Sequence, residues 1–468
     1  MIKIDNSLTP PSLSPLLGMF FNVAGEKIRL LDSEWDSSKG TPVFTENGKY
    51  TTRGWTEWTQ GFQYGNGLYQ FDATGDRWFL EYGRKNTYEK MSPHLTHIGV
   101  HDHRFNNVST YGNLLRLMTE GKIPENADER EFYRLALKVT GAVQASRWTD
   151  LPEGRGYVQS FNGPHSLFSD TIRSMRALAL GHILGQFLSG EQDAKINLLR
   201  RLLQHAETTA EYNVYFGKGR DAYDIRGRVV HESIFNTASG AYRCPSTQQG
   251  YSPFSTWTRG LAWIVCGYAE ELEFLEILDD DEITSLDFSL LPDMKSTEKR
   301  FLETAMAGAD FYLENTPADG IPYWDTGAPG LAHMGDYLSR PADPYNSYEP
   351  VDSSAAAITA QGLLRLGRYL KERGKDDEGS RYFQAGLTAA KTLLQEPYLS
   401  TDPKHQGILL HSIYHRPNGW DYVPDGAKIP YGESCMWGDY HLMELAVYLK
   451  RLVSEEEYLT FFNIGAKK

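Results

Sequence analysis

The feature that most constrains the fold is a helical spacing of apolar residues, which recurs from about residue 65 to the end of the chain. Amphipathic stretches are predicted at 107–119, 128–147, 170–188, 193–213, 257–275, 296–314, 353–372, 379–395 and 435–453. Several stretches are joined by short polar turns, such as Thr74-Gly75-Asp76, Ser189-Gly190-Glu191 and Gly374-Lys375-Asp376. The spacing therefore predicts an all-α chain of helical hairpins.

Long segments separate the hairpins, and they are rich in glycine, proline, asparagine and aromatic residues. They cover 149–169, 215–256, 315–352 and 397–434. Because short turns alternate with long loops, we expect one end of the helical array to be plain and the other to carry function. Roughly a dozen helices in hairpins suggest a closed double ring. An open solenoid is the competing architecture, but solenoids usually show a fixed repeat period, and none is found here.

The length and net charge of the chain favour a globular protein and argue against some classes of partner. The chain has 468 residues, of which 40% are hydrophobic, so it can bury a sizeable globular core. We expect an N-terminal extension at 1–54 that packs on a helical barrel domain at 55–468. The formal net charge of −14 argues against nucleic acid or an anionic membrane as a partner, since both need a basic protein face.

The cysteines and the N-terminus bear on location. Cys244, Cys266 and Cys435 are odd in number and widely spaced, which indicates neither a disulfide framework nor a thiolate zinc site. The first residues lack the basic start and cleavage pattern of a signal peptide, and no run reaches the ~18 apolar residues of a membrane span. These features predict a reduced, cytoplasmic protein.

The run Ser246–Trp263, STQQGYSPFSTWTRGLAW, has the composition of a recognition surface. Trp257 and Tyr251 offer flat faces to a sugar ring, and Gln249 offers hydrogen-bond donors and acceptors. Arg259 offers a planar fork suited to a carboxylate, just where the spacing of apolar residues turns helical. The run predicts a site for an acidic sugar, and the alternative is a loop that simply buries its aromatic residues.

Two carboxylates are distinguished by the residues around them in the sequence. Asp102 lies within His-Asp-His-Arg, and Asp170 opens a predicted helix. A carboxylate pair in one cleft is standard equipment for proton transfer at a sugar, since one group can hold a proton while the other stays ionised. For Asp170 the alternative is a helix N-terminal residue whose side chain accepts backbone amides, which would lower its pKa.

A cluster of histidines surrounds Asp102 and raises the question of a metal. The histidines are His94, His97, His101 and His103. Imidazoles and a carboxylate bind zinc, but Gly99 and the mixed spacing do not place these residues on one helical face. We therefore expect local hydrogen bonding and no metal. Without a GxGxxG or Walker-type run, we expect no nucleotide cofactor either.

Several segments match one known family. Ser255–Trp263 resembles the STWxRGxAW signature of the unsaturated glucuronyl hydrolases, glycoside hydrolase family 88. Other matches fall in the right order: Trp58–Phe62 with W-x-x-G-F, His101–Phe105 with HDxGF, Val351–Ala356 with DSSAAA, Gly407–His411 with GILLH and Trp437–Tyr440 with WGDYY. Together they run from about residue 55 to 450.

The resemblance implies an (α/α)6 barrel and a reaction. The family acts on oligosaccharides left by polysaccharide lyases, whose terminal uronic acid carries a C4=C5 double bond. A general acid protonates C4, water adds at C5, and the hemiketal opens to release the shortened sugar, without a cofactor. The related unsaturated rhamnogalacturonyl hydrolases are an alternative, as is a catalytically silent carbohydrate-binding barrel. We expect a monomer or a dimer.

The resemblance also assigns roles to residues of this chain. Asp170 matches the general acid/base, with its pKa raised by burial and by its partner carboxylate Asp102. His231 and Gln249 match residues that contact the uronate, and Arg259 matches one near its carboxylate. The candidate pocket walls are Trp58, Trp148, Trp257 and Trp263.

Two departures from the family pattern are visible. His103 and Arg104 replace a glycine and an aliphatic residue, and we expect added positive charge beside Asp102, or alternatively a salt bridge on the barrel rim. Gln248 replaces a histidine before Gln-Gly-Tyr, which weakens any inference about the leaving sugar.

Overall fold

The computed structural model describes residues 1–54 and 57–465, and helices dominate it. The α-helices are α1 (Ser14–Glu34), α2 (Gln60–Thr74), α3 (Arg77–Lys90), α4 (His103–Asn107), α5 (Asn113–Thr119), α6 (Ala127–Ser146), α7 (Thr171–Ser174), α8 (Arg176–Ile183), α9 (Leu198–Tyr212), α10 (Thr258–Leu275), α11 (Asp280–Thr284), α12 (Met294–Asn315), α13 (Ser353–Lys371), α14 (Asp376–Leu393) and α15 (Met436–Ser454). A π-helical turn at Val108–Gly112 joins α4 to α5. The predicted all-α class is confirmed.

The helices form two concentric rings. In the described part of the chain the inner ring runs through α2, α4 with α5, α7 with α8, α10, α13 and α15, and each member contacts the next. Helix α15 contacts α2, which closes the ring. The outer helices α1, α3, α6, α9, α12 and α14 pack on it. This closure confirms the predicted (α/α)6 barrel and excludes an open solenoid.

The two rings follow from their sequences. Helix α10 is buried at every residue from Thr258 to Leu275, as expected of a helix that is apolar on nearly all sides. Helix α9 is amphipathic, with Leu199, Leu202 and Ala206 on its buried face. A helix like α10 must be packed against other helices on all sides, whereas a helix like α9 buries one face and leaves the other in solvent.

Short strands lie in the segments between the α-helices. They are β1 (Phe44–Glu46), β2 (Lys49–Thr51), β3 (Trp148–Asp150), β4 (Gly156–Val158), β5 (Ser166–Phe168), β6 (Phe187–Ser189), β7 (Lys195–Asn197), β8 (Glu232–Phe235) and β9 (Tyr242–Ser246). They pair antiparallel as β1-β2, β3-β4, β5-β8-β9 and β6-β7.

One predicted helix and one predicted turn are wrong. The stretch 170–188 is split into α7 and α8, and its end becomes β6. Gly185 has a left-handed backbone with φ of 75°, which ends α8 and which glycine adopts at little cost. Ser189-Gly190-Glu191 therefore lies in the β6-β7 hairpin and does not join two helices.

Helix α1 takes the place of an outer helix, because it packs against α2 and α15. The division into an extension at 1–54 and a barrel at 55–468 stays a prediction, and residues 55, 56 and 466–468 lie outside the described residues. None of the described helices combines the length and apolar character that a membrane crossing needs.

Candidate active site

A cavity of about 680 Å³ opens where the inner helices begin. Asp102, Asp170 and Trp257 each occupy the residue before the first turn of α4, α7 and α10, and all three line it. Trp58 precedes α2 and Trp437 lies in the first turn of α15, and they line it too. The cavity therefore opens at the end of the barrel that carries the long loops, and its function stays a prediction.

The barrel brings Asp102 and Asp170 together around His101. The Nε2 atom of His101 lies 3.3 Å from Asp170 Oδ2 and 3.5 Å from Asp102 Oδ1. Each carboxylate residue is 8% exposed, and His101 is 1% exposed. One imidazole edge thus faces two buried carboxylates at the wall of the cavity, which is an arrangement that can hold and move protons.

Arg259 lines the cavity, but protein groups already occupy its guanidinium. Its Nη1 lies 2.6 Å from Asp352 Oδ2 and also donates to the carbonyl of Ile413. Its Nη2 donates to Gln249 Oε1 at 3.2 Å and to the carbonyl of Tyr414 at 2.7 Å. The charge of Arg259 is therefore paired with Asp352, and contact with a substrate carboxylate stays a prediction.

Three of the four predicted tryptophan walls line the cavity. They are Trp58, Trp257 and Trp263, and the structure adds Trp420 and Trp437. The rings of Trp58 and Trp437 stack with centroids 5.1 Å apart. Aromatic walls of this kind suit the apolar face of a sugar ring.

Trp148 is not among the cavity residues, so its predicted place in the wall is wrong. It begins strand β3, and its Nε1 donates to Asp150 at 2.7 Å. The Arg201 guanidinium of outer helix α9 lies 4.3 Å from its ring centroid. The residue faces the outer ring because β3 pairs with β4 beside α9.

Known proteins were compared with the chain as a whole. No protein-family model matches it. An unsaturated glucuronyl hydrolase of Bacillus sp. (strain GL1) is 27% identical over 414 residues, which span 87% of this chain and 89% of that protein. Another, from Formosa agariphila, is 26% identical over 392 residues, spanning 83% of this chain and 78% of that protein. The chain is related to the unsaturated glucuronyl hydrolases.

The fold of the chain is also similar to that of a solved structure. The crystal structure of the Bacillus sp. GL1 glucuronyl hydrolase superposes with a TM-score of 0.67 at 23% identity, covering 92% of this chain and 96% of that one. The two relatives at 27% and 26% identity support the resemblance predicted from the sequence segments, and the superposed structure confirms the barrel.

The electrostatics of the carboxylate pair differ from what the glucuronyl hydrolase pattern led us to expect. Burial raises the pKa of Asp102 to about 6, and the charge of Asp170 adds to the rise while His101 opposes it. Burial also acts to raise the pKa of Asp170, but the hydrogen bond and charge of His101 outweigh it and leave this pKa below its ordinary value.

Opposing effects act on the pKa of His101. Burial lowers it, yet Asp102 and Asp170 outweigh burial and raise it. The expected rise in the pKa of Asp170 is therefore wrong. The alternative role of Asp170 as a helix-capping residue is also wrong, because its side chain accepts no hydrogen bond from the backbone of α7.

The other histidines of the cluster make local hydrogen bonds, as predicted. His94 Nε2 lies 2.8 Å from Gln60 Oε1, and His103 Nε2 lies 2.6 Å from the carbonyl of His97. Burial lowers the pKa of both His94 and His103 to about 4, so both rings are neutral. His101 differs from them because it faces two carboxylates.

Arg104 does not place charge beside Asp102, and that expectation is wrong. Its Nη2 lies 3.7 Å from both Glu270 Oε1 and Glu444 Oε1 in the core of the barrel, and it is 1% exposed. Helix α4 belongs to the inner ring, so the side chain two positions after Asp102 points into the core. A salt bridge forms, but in the core and not on the rim.

His231 lies behind the cavity wall and does not line it. Its Nδ1 accepts backbone N–H groups of Gln248 at 3.0 Å and Gln249 at 3.3 Å, and its ring centroid is 4.7 Å from that of Trp257. The ring therefore holds the loop that carries Gln249, which does line the cavity. Its contact with a uronate stays a prediction.

Some lining residues were missed by sequence reasoning. Arg53, His415 and Trp420 contribute to the wall from segments without helical periodicity, so no pattern signalled them. Trp437 begins the WGDY segment already matched to the glucuronyl hydrolases, and that match could have identified it.

Proposed function

We propose that this protein is an unsaturated glucuronyl hydrolase, which removes the terminal 4,5-unsaturated uronic acid from oligosaccharides produced by polysaccharide lyases. The observation that carries the proposal is the pair Asp102 and Asp170, buried around His101 in a tryptophan-lined cavity. The relatives support it, since the Bacillus sp. GL1 glucuronyl hydrolase is responsible for the degradation of glycosaminoglycan. A glycosaminoglycan-derived substrate follows as part of the proposal.

The chemistry requires a proton delivered to carbon. We assign Asp170 as the group that protonates C4, and Asp102 as its partner carboxylate. His101 Nε2, 3.3 Å from Asp170 Oδ2, is placed to pass its proton to Asp170 before the transfer. Positive charge then develops at C5, where the two carboxylates stabilise it, and water adds there and gives up one proton to the Asp170 carboxylate. The hemiketal opens and releases the shortened sugar.

The remaining parts of the site bind the sugar. Trp58, Trp257 and Trp263 provide ring faces, and Gln249 provides an amide for the hydroxyl groups. We further propose a cytoplasmic location, supported by the three free cysteines, and a monomer or dimer as the working state.

A panel of unsaturated disaccharides that differ only in the second sugar tests the proposal. We expect the ultraviolet absorbance of the C4=C5 double bond to disappear on incubation with glycosaminoglycan-derived members. A preference for pectin-derived ends would assign the protein to the rhamnogalacturonyl class. Saturable binding without loss of absorbance on any member would instead identify a silent carbohydrate-binding barrel.

The pH dependence follows from the raised pKa of His101, since its imidazolium holds the proton that reaches Asp170. Burial lowers this pKa, but Asp102 and Asp170 outweigh burial, so the imidazolium keeps its proton below the raised pKa and loses it above. We therefore expect kcat/KM for an unsaturated disaccharide to fall about tenfold per pH unit once the pH exceeds the pKa of His101, since kcat/KM reports the free enzyme. Asp319→Asn is the control, because burial raises the pKa of Asp319 to about 6 but the residue does not line the cavity. The control should keep the falling limb, and a native profile without a falling limb on the alkaline side would contradict the assignment.

A further inference from the structure

His101, Asp102 and Asp170 also meet the geometric requirements of a metal site. One ligand atom from each residue lies within 4.8 Å of the others. Zinc bonds to imidazole nitrogen and carboxylate oxygen are about 2.0–2.2 Å long, so two ligands of a tetrahedral ion lie roughly 3.3–3.6 Å apart. The distances from His101 Nε2 to Asp170 Oδ2 and to Asp102 Oδ1 are 3.3 and 3.5 Å, within that range.

The hydrogen bonding of the cluster leaves room for a cation. His101 Nε2 can donate one proton, yet it faces two carboxylates. The Oδ1 atoms of Asp102 and Asp170 are buried and accept no hydrogen bond from the described residues. Two ionised carboxylates and a neutral imidazole carry a charge of about −2, which a divalent cation neutralises without further groups.

The cavity gives a cation access to the three residues and space for a fourth ligand. All three line it, so a cation can enter from solvent and keep water or a sugar oxygen at its fourth position. The ligand types also indicate the metal. Imidazole with carboxylate suits zinc and its neighbours in the transition series, whereas magnesium and calcium prefer sites built of oxygen alone.

We propose that His101, Asp102 and Asp170 bind one zinc-class divalent cation, and that the bound cation excludes the unsaturated sugar. Binding of the cation is independent of the proposed function. The exclusion rests on that function, because the cation would occupy the carboxylates assigned to proton transfer. The site would thus be inhibitory, and enzyme prepared in the presence of zinc would regain full activity at low substrate concentration only after the metal is chelated.

Titration calorimetry of the metal-free protein with ZnCl₂ tests the binding directly. We expect one strong site per chain, with the affinity lowered ~10-fold or more by His101→Gln and by Asp170→Asn, since even groups that merely support a ligand contribute 10- to 100-fold. Two variants are used so that a folding defect in one leaves the other informative. His103→Gln is the matched control, because its ring Nε2 bonds a backbone carbonyl outside the cluster.

The outcomes separate the two proposals. Unchanged zinc affinity in both His101→Gln and Asp170→Asn, equal loss in His103→Gln, or equally tight binding of MgCl₂ would each overturn the metal site. None of these measurements needs turnover, so inactivity on every sugar leaves the metal test intact. If the protein is active, ZnCl₂ should raise KM and leave kcat unchanged, and a fall in kcat alone would refute the exclusion.

Discussion

Asp170→Asn is expected to lower kcat/KM for an unsaturated disaccharide by at least ~10²-fold, the range seen when acid/base catalysis is removed. An amide has the shape of the carboxyl group but cannot deliver a proton to C4. It also removes the charge that faces His101 at 3.3 Å, so the proton on His101 loses the carboxylate through which it would reach C4. The measurement is the initial rate of absorbance loss across substrate concentrations.

The same experiment separates chemistry from folding. Asp102→Asn should lose most of its rate as well, because the pair acts as a unit. Asp319→Asn removes a half-buried carboxyl whose pKa is also about 6, outside the cavity, and it should keep the native rate. A rate for Asp170→Asn within a few-fold of native, with Asp319→Asn unaffected, would show that the acid lies elsewhere.

The barrel could be predicted from the sequence because its signal is local. Helical spacing of apolar residues and short turns are readable in a single stretch, and a dozen such stretches permit few closed arrangements. The breakdown at 170–188 has a local cause too, since Gly185 ends α8 and β6 follows. Short strands depend on a partner distant in sequence, so spacing alone did not reveal them.

Sequence motifs were enough to predict which residues belong to the candidate site. They were not enough where a residue's place depends on the direction in which its side chain points. Asp102 was found within the His-Asp-His-Arg run, and Asp170 was found at the start of a predicted helix. The direction of Arg104 depends on the inner-ring position of α4, and the exclusion of Trp148 depends on the pairing of β3 with β4. The bridging place of His101 appears only when the ring closes and brings α4 and α7 side by side.

Ring closure also places an ionic cluster in the core, near the residues of the site. Arg173, one turn after Asp170 on α7, donates to Glu270 at 2.6 and 2.9 Å and to Glu444 at 3.0 Å. Arg176 bonds both carboxylates, and Arg104 lies 3.7 Å from each. All five side chains are at most 1% exposed. The helices that begin at Asp102 and Asp170 are thus tied to α10 and α15 through buried charges.

Glu444→Gln is therefore expected to destabilise the fold by about 3–5 kcal/mol, the usual cost of removing one partner from a buried ion pair. The arginines keep the pKa of Glu444 well below its ordinary value although burial opposes them, so the native residue is an anion. Its loss leaves three buried guanidinium groups with Glu270 as the remaining cluster carboxylate. The measurement is the midpoint of thermal unfolding.

Glu303→Gln provides the matched control for this change. Glu303 pairs with Lys218 at 3.4 Å, and their side chains are 40% and 67% exposed. An exposed pair contributes about 0–1 kcal/mol, so this variant should unfold near the native temperature. Equal midpoints for both variants would contradict a structural role for the cluster. If Glu444→Gln alone is destabilised, its residual activity at low temperature shows whether the cluster also positions Asp170, because a displaced carboxyl lowers kcat while the binding residues preserve KM.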